Sequence, residues 1–310
     1  MNIVCVEPLG ISQEYFENLK KEFASQGHQF RYYLDRKEDV ATLANRMKDA
    51  DIAVISNIKL PAEVLEQCPH LQYLSVAFTG LDHIDLDYCK SHNIAVQNAA
   101  GYSTTAVSEL AIGLMIDLLR QITHFDGTIR HGEGRGTFLG RELRGKTVGV
   151  VGTGAIGTAT IRLLIAFGCK VLAYNRSEHP DVVSLGVCYT DLDTLMRESD
   201  IVTLHVPMTA ETHHLISRER LSMMKPSAIL VNTARGNVVD IPALAEALTK
   251  GTIAGAATDV YEKEPPLPLN HPLLNAPNCV CLPHIGYASR EAFDIRADIV
   301  FDHVRNFLRK

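Results

Sequence analysis

Val148-Gly-Val-Val-Gly152-Thr-Gly154-Ala-Ile-Gly157 is an apolar run of strand length that breaks into three glycines spaced G-x-G-x-x-G. In such a turn the first glycine permits a sharp reversal, and the second lets the backbone approach a pyrophosphate. The third lets the following helix lie close against the strand. The helix start then presents unpaired N–H groups and a partial positive charge to phosphate. Three glycines alone are a weak signal, because glycine also serves plain turns. Here the strand before them, a helical pattern over Ile156–Phe167 and a second strand at Lys170–Tyr174 complete a βαβ unit. The reading is a dinucleotide site built on Gly152, Gly154, Ala155, Ile156 and Gly157.

The same alternation of apolar runs and amphipathic segments extends in both directions, which argues for parallel sheets covered by helices on both faces. Upstream, strands are expected at Ile3–Val6, Phe30–Tyr33, Ile52–Ser56, Leu71–Ala77 and Ile94–Gln97. Downstream they are expected at Thr147–Val151, Lys170–Tyr174, Ile201–Val206, Ala228–Asn232, Ile253–Thr258 and Cys279–Leu282. A helix opened by hydroxyl residues is expected over Thr104–Thr123, a glycine-rich surface loop over His131–Gly140, and a closing helix over Ser289–Lys310. The fold class is α/β with two doubly wound parallel-sheet domains. A flavodoxin-like domain takes residues 1–98 and 285–310, and a Rossmann domain takes 99–284.

A chain of 310 residues suits two such domains. The net charge of −6, with Lys and Arg dispersed, lacks the basic footprint that nucleic acid or anionic lipid requires. No uncharged stretch is long enough to span a bilayer. Met1–Val6 reads directly as a strand rather than a secretory leader, so a cytoplasmic protein is expected. The seven cysteines are scattered and read as reduced thiols of a packed interior. Cys279 and Cys281 form the only near pair, expected on opposite faces of their strand. No metal site is read from the chain.

The strand ending at Tyr174 is followed by Asn175-Arg176-Ser177. A dinucleotide site without a 2′-phosphate usually places a carboxylate there to bind the ribose hydroxyls. Asn175 cannot repel a 2′-phosphate, and Arg176 and Ser177 can donate to one, so NADP is favoured over NAD. The other reading has Arg176 stack on adenine with NAD bound. Three further residues follow strands of the same sheet: Arg235, Glu264 and His284. Reducing a keto acid requires a cation for the carboxylate and carbonyl, a proton donor for the forming alkoxide, and a nearby hydride. Arg offers a planar fork for carboxylate. His titrates near neutrality, and a carboxylate beside it holds one tautomer. Singly, Arg235 also reads as a helix-end charge, Glu264 as a solvated loop carboxylate and His284 as a satisfied interior histidine. It is the three suitable types at successive strand ends that point to catalysis.

Over essentially its whole length the chain resembles the D-isomer-specific 2-hydroxyacid dehydrogenase family. The resemblance is carried by Glu142–Gly157, Leu204-His-Val-Pro-Met-Thr209, Val231-Asn-Thr-Ala-Arg-Gly236, Thr258-Asp-Val-Tyr-Glu-Lys-Glu-Pro265 and Leu282-Pro-His-Ile-Gly286. It implies that Arg235 binds the substrate, that His284 is the general acid/base and that Glu264 orients it. It adds His205, Pro207, Thr233, Ala234, Asp259 and His284 itself to the cofactor contacts, with Asp259 holding the nicotinamide carboxamide. Ala77, Phe78, Thr79 and Gly80 resemble the family's substrate loop, whose backbone N–H groups grip the carboxylate beside Arg235 and His284. The resemblance further implies a small 2-keto or 2-hydroxy acid substrate, a homodimer formed through the nucleotide domain, and a last helix that returns to the first domain.

Two departures fall on the substrate pocket. The chain has no Trp, where relatives often carry one in the segment aligned with 131–138, and Asn98-Ala-Ala-Gly101 lacks a common proline. Phe78 and Tyr102 are candidates for an apolar side-chain pocket or for plain core. No regulatory domain is expected after His284. Two rival readings share the fold: a cofactor-sensing binding protein like the related transcriptional corepressors, and an enzyme using formate or phosphite. The first would carry a disordered, modifiable tail, which is not expected here. The second would pair the histidine differently.

Overall fold

Every strand pairing among the described residues is parallel. The protein is represented by a computed structural model that describes residues 1–264 and 266–309. The first sheet contains β1 (Asn2–Cys5), β2 (Gln29–Tyr32), β3 (Ile52–Ile55), β4 (Tyr73–Val76) and β5 (Ala95–Asn98), in the order β2-β1-β3-β4-β5. The second contains β6 (Thr147–Val151), β7 (Lys170–Tyr174), β8 (Cys188–Tyr189), β9 (Ile201–Leu204), β10 (Ile229–Asn232), β11 (Gly255–Thr258) and β12 (Cys279–Cys281). Its order is β12-β11-β10-β9-β6-β7-β8. All four residues of β3, β4, β9, β10 and β11 are buried, as strands covered by helices on both faces must be. On β10, Ile229 and Val231 join one apolar core while Leu230 joins the other. The two-residue repeat is present, but both faces are apolar.

The chain divides into two units, Met1–Ser103 with Ala288–Lys310, and Thr104–Tyr287. In the first unit the helix Arg290–Leu308 packs on β4: Ser75 Oγ donates to the Val300 carbonyl at 3.0 Å. Phe301, fully buried, meets Phe16 and Phe30 edge-on at 6.4 and 5.7 Å between centroids. Burying such a ring contributes about 1.5–3 kcal/mol. Tyr102 is buried, with the Arg296 guanidinium 5.6 Å from its ring centre. In the second unit, side chains at Asp191, Ser217 and Asp240 cap helices by accepting from N–H groups three residues on.

Three expectations are corrected. Among the described residues the second sheet has seven strands rather than six; β8 is a two-residue edge strand, too short for any periodic signal. The expected helix over Thr104–Thr123 ends at Arg120, because Gln121 adopts a left-handed conformation (φ 51°). Asp117 accepts from the Thr123 N–H and hydroxyl at 2.8 and 2.6 Å, which favours the break, and a second helix runs Ile122–Arg130. Cys279 and Cys281 lie on one face of β12, with sulfurs 3.7 Å apart, because residues two apart on a strand share a face. No helix among the described residues is long and apolar enough to cross a membrane, and none of their His, Cys, Asp and Glu side chains cluster in threes to hold a metal.

Candidate active site

The glycine turn shows why each glycine is needed. Gly152 follows β6 with φ 97°, and a Cβ there would lie 2.6 Å from the His205 carbonyl oxygen. A Cβ on Gly157 would stand 2.0 Å from the Gly152 carbonyl oxygen, so helix and turn touch backbone to backbone. Gly154 is different: nothing lies within 4 Å of its would-be Cβ, and it caps the helix Ala155–Ala166 in extended conformation. Ala155 and Ile156 open that helix. The turn thus leaves open space in front of a helix N-terminus, the environment that favours an anion.

Asn175, Arg176 and Ser177 follow β7. The Asn175 amide donates to the Ser177 carbonyl at 2.9 Å and meets His179 Nε2 at 3.2 Å. Tyr174, Asn175, Arg176, Val206, Pro207 and Glu211 are among the residues lining a cleft of about 120 Å³. The Thr209 hydroxyl and the Glu211 backbone hold the Glu211 carboxyl below its usual value, with the Arg176 charge adding to the effect. His205 follows β9; its N–H donates to the Val151 carbonyl at 2.7 Å and its Nε2 meets Thr203 Oγ1 at 3.1 Å. Burial pushes its imidazole down to about 4, so the ring is neutral at pH 7.

Thr233, Ala234 and Arg235 form the loop after β10. Buried Asn232 shapes it, accepting from the Ala234 N–H and donating to the Arg235 carbonyl, both at 3.0 Å. Arg235 Nη1 donates to the Ala234 carbonyl at 2.8 Å. The Thr233 hydroxyl oxygen is buried without a hydrogen-bond partner among the described residues, an arrangement that calls for a ligand or water. The loop packs so tightly that a Cβ on Gly236 would lie 1.9 Å from the Tyr261 carbonyl carbon.

His284, after β12, has φ 58°, a left-handed conformation that costs a non-glycine residue about 1–3 kcal/mol. Asp259, after β11, holds it there. Its two carboxylate oxygens accept from Ile285 N at 2.8 Å and Gly286 N at 2.7 Å. Burial pushes the Asp259 carboxyl up, and those two hydrogen bonds oppose the shift. The ring is held separately: His284 Nδ1 meets Glu264 Oε2 at 2.8 Å, and the Tyr287 ring stands edge-on at 5.5 Å. Pro265, which closes the motif containing Glu264, lies outside the described residues.

Arg235, Glu264 and His284 therefore follow three neighbouring strands, β10, β11 and β12, at their carboxyl ends. Ligands of open parallel sheets bind at those ends. Ala77, Phe78, Thr79 and Gly80 follow β4 at the corresponding end of the five-stranded sheet. There Asn98 Nδ2 donates to the Thr79 carbonyl at 2.6 Å, and the Ala99 N–H donates to the Phe78 carbonyl at 3.1 Å. Sequence reasoning gave no site role to Asn232 or Tyr287 and did not place Asp259 on the His284 turn. Only the Asn232 position, between a strand and a candidate arginine, carried a usable signal.

Residues 112–286 match the D-isomer specific 2-hydroxyacid dehydrogenase, NAD binding domain. The chain is 45% identical to a glyoxylate reductase from Thermofilum pendens, over 82% of this chain and 76% of that one. A D-lactate dehydrogenase from Aquifex aeolicus, solved with NAD and lactic acid, superposes with a TM-score of 0.83. It is 32% identical, covering 100% of this chain and 96% of that one. An acyclic imino acid reductase solved with NADPH and D-Arg superposes at 0.88 with 29% identity, covering 100% and 97%. The chain belongs to the D-isomer specific 2-hydroxyacid dehydrogenase family, and its class is that of an NAD(P)-dependent dehydrogenase.

Proposed function

We propose that the protein reduces a small 2-keto acid to the D-2-hydroxy acid, and runs the reverse reaction, using the second unit for the nicotinamide cofactor. The observation that carries this reading is the His284–Glu264 pair on the left-handed turn held by Asp259. With Nδ1 on Glu264, the transferable proton is assigned to Nε2. His284 gives that proton to the C2 oxygen during reduction and takes it back during oxidation. Glu264 fixes the tautomer and offsets the imidazolium charge. Arg235 binds the substrate carboxylate and polarises the carbonyl.

The cofactor supplies the hydride when bound. The open space before Gly154, the orphaned Thr233 hydroxyl and the cleft beside Asn175–Ser177 fit such a group. Gly152, Gly154, Ala155, Ile156 and Gly157 would hold its pyrophosphate, and His205, Pro207, Thr233, Ala234 and Asp259 its nicotinamide side. Arg176 and Ser177, with no carboxylate at Asn175, favour NADPH over NADH. A homodimer through the second unit is supported by the helix Ile122–Arg130, which buries none of its residues and exposes Ile122 and Ile129. Seven free thiols fit a reducing cytoplasm.

The test is a panel of 2-keto acids, beginning with glyoxylate, assayed with NADH and NADPH in parallel. Turnover of at least one keto acid is expected, and none with either cofactor would refute the reading. Arg176→Ala should weaken NADPH use far more than NADH use; equal losses would assign Arg176 to stacking alone.

A further inference from the structure

We propose that Cys279 and Cys281 are a redox modification site, a dithiol that a hydroperoxide closes to a disulfide, slowing turnover by displacing the His284 turn. The link to turnover rests on the role of His284 proposed above. The two sulfurs lie 3.7 Å apart on one face of β12 and are half-buried, whereas Cys5, Cys68 and Cys89 are sealed in the interior. Cys279 also lines a surface cleft of about 230 Å³ with Asp117, Gln121 and His124, wide enough for a peroxide. The Cys279 thiol, followed by the Tyr261 hydroxyl, holds the Cys281 thiol below its ordinary value against the opposing effect of burial. Cys279 is pushed the other way by the same sharing and by burial. At 3.7 Å, either sulfur once oxidised has the other within reach to resolve it.

The step balances. One of the two thiolates attacks a peroxide oxygen, breaking the O–O bond, to give a sulfenic acid and hydroxide or alkoxide, which takes up a proton. The second sulfur then attacks the oxidised one, forming the S–S bond, and hydroxide leaves and takes the thiol proton as water. Two electrons pass from the two sulfurs to the peroxide. Closing the bond must bring the sulfurs to about 2.05 Å, which requires β12 to deform. β12 is an edge strand, paired among the described residues only with β11, so it can yield. The deformation is passed on locally. Cys281 pairs with Thr258, the residue before Asp259, and Leu282 N donates to the Thr258 carbonyl at 2.9 Å. Tyr261 donates to the Leu282 carbonyl at 2.9 Å, two residues before His284.

The experiment treats the full-length protein with hydrogen peroxide, then maps peptides by mass spectrometry and measures kcat before and after dithiothreitol. A Cys279–Cys281 bond is expected, with loss of two hydrogen atoms in that peptide, and a kcat about tenfold lower that thiol restores. Cys279→Ser and Cys281→Ser should keep their starting kcat under the same peroxide. Absence of the bond, or equal peroxide sensitivity in the Ser variants, would overturn the proposal. A bond that leaves kcat unchanged would overturn its control of His284. If untreated protein reduces no keto acid while the bond still forms, the functional reading has failed and the dithiol has not.

Discussion

The turn after β6 and the turn after β12 both depart from ordinary backbone, with φ of 97° at Gly152 and 58° at His284, yet they are built in opposite ways. The first is shaped by what is missing. Glycines at 152 and 157 allow backbone to touch backbone, and Gly154 leaves a space that a side chain would begin to fill. The second is shaped by what is added. A histidine sits where glycine would be at ease, and a buried carboxylate from another strand holds it there. A glycine turn is stable by itself and suits a ligand that approaches backbone. A strained side chain held from a distance suits chemistry, where orientation matters more than ease of folding.

The largest effect should come from filling the glycine turn. Gly157→Ala places a carbon 2.0 Å from the Gly152 oxygen, so the helix must move away from the turn. Affinity for NADH and NADPH should fall by at least about 100-fold, roughly 3 kcal/mol. Fluorescence titration reads this, with a melting curve to show that the variant is folded. Near-normal affinity would mean that the turn tolerates a side chain and the contrast is false.

Breaking the other turn requires Asp259→Asn. One of the two accepting oxygens becomes an NH2 group facing a backbone N–H, a loss of about 1–3 kcal/mol. The exchange rates of the Ile285 and Gly286 amides should rise, and kcat should fall by about 10- to 100-fold as His284 loses its orientation. Unchanged exchange at both amides would show that the turn holds itself.

Glu264→Gln sharpens the distinction between holding the backbone and holding the ring. Glu264 is half exposed (52%), so the melting temperature should hardly change, while kcat falls by about tenfold. A large loss of stability with little change in kcat would reverse the roles assigned to Asp259 and Glu264.

An ordinary ion pair sets the scale for both turns. Arg305 donates to both oxygens of Glu22 at 2.7 and 2.8 Å, and its fork holds that carboxyl below its usual value. Glu22→Gln should cost only about 0.5–1 kcal/mol at pH 7, since both side chains remain partly exposed to solvent. The folded-state value is depressed, so the contribution is complete above the unfolded-state value of about 4.3. It is lost as pH falls through the lower folded-state value. Wild type and variant should therefore melt apart at neutral pH and converge in acid. A gap that persists in acid would show that Glu22 acts through packing.

Much of this molecule was legible in its residue order because the relevant physics is local. Apolar runs of strand length separated by amphipathic segments specify parallel sheets buried on both faces. Three glycines after a strand specify a turn whose shape owes nothing to distant residues. The places of Arg235, Glu264 and His284 after successive strands follow from the same counting. What the counting could not supply depends on contacts between segments far apart in sequence. The two bonds from Asp259 to the His284 turn cross 26 and 27 positions. β8 exists only because β7 is there to pair with it. Two misses were local instead: Asp117 ends a helix whose apolar pattern runs on, and Cys279 and Cys281, two apart on a strand, share a face. Period and turn chemistry are properties of neighbours along the chain; strain, satisfaction of buried polar groups and the pairing of reactive side chains are properties of neighbours in space.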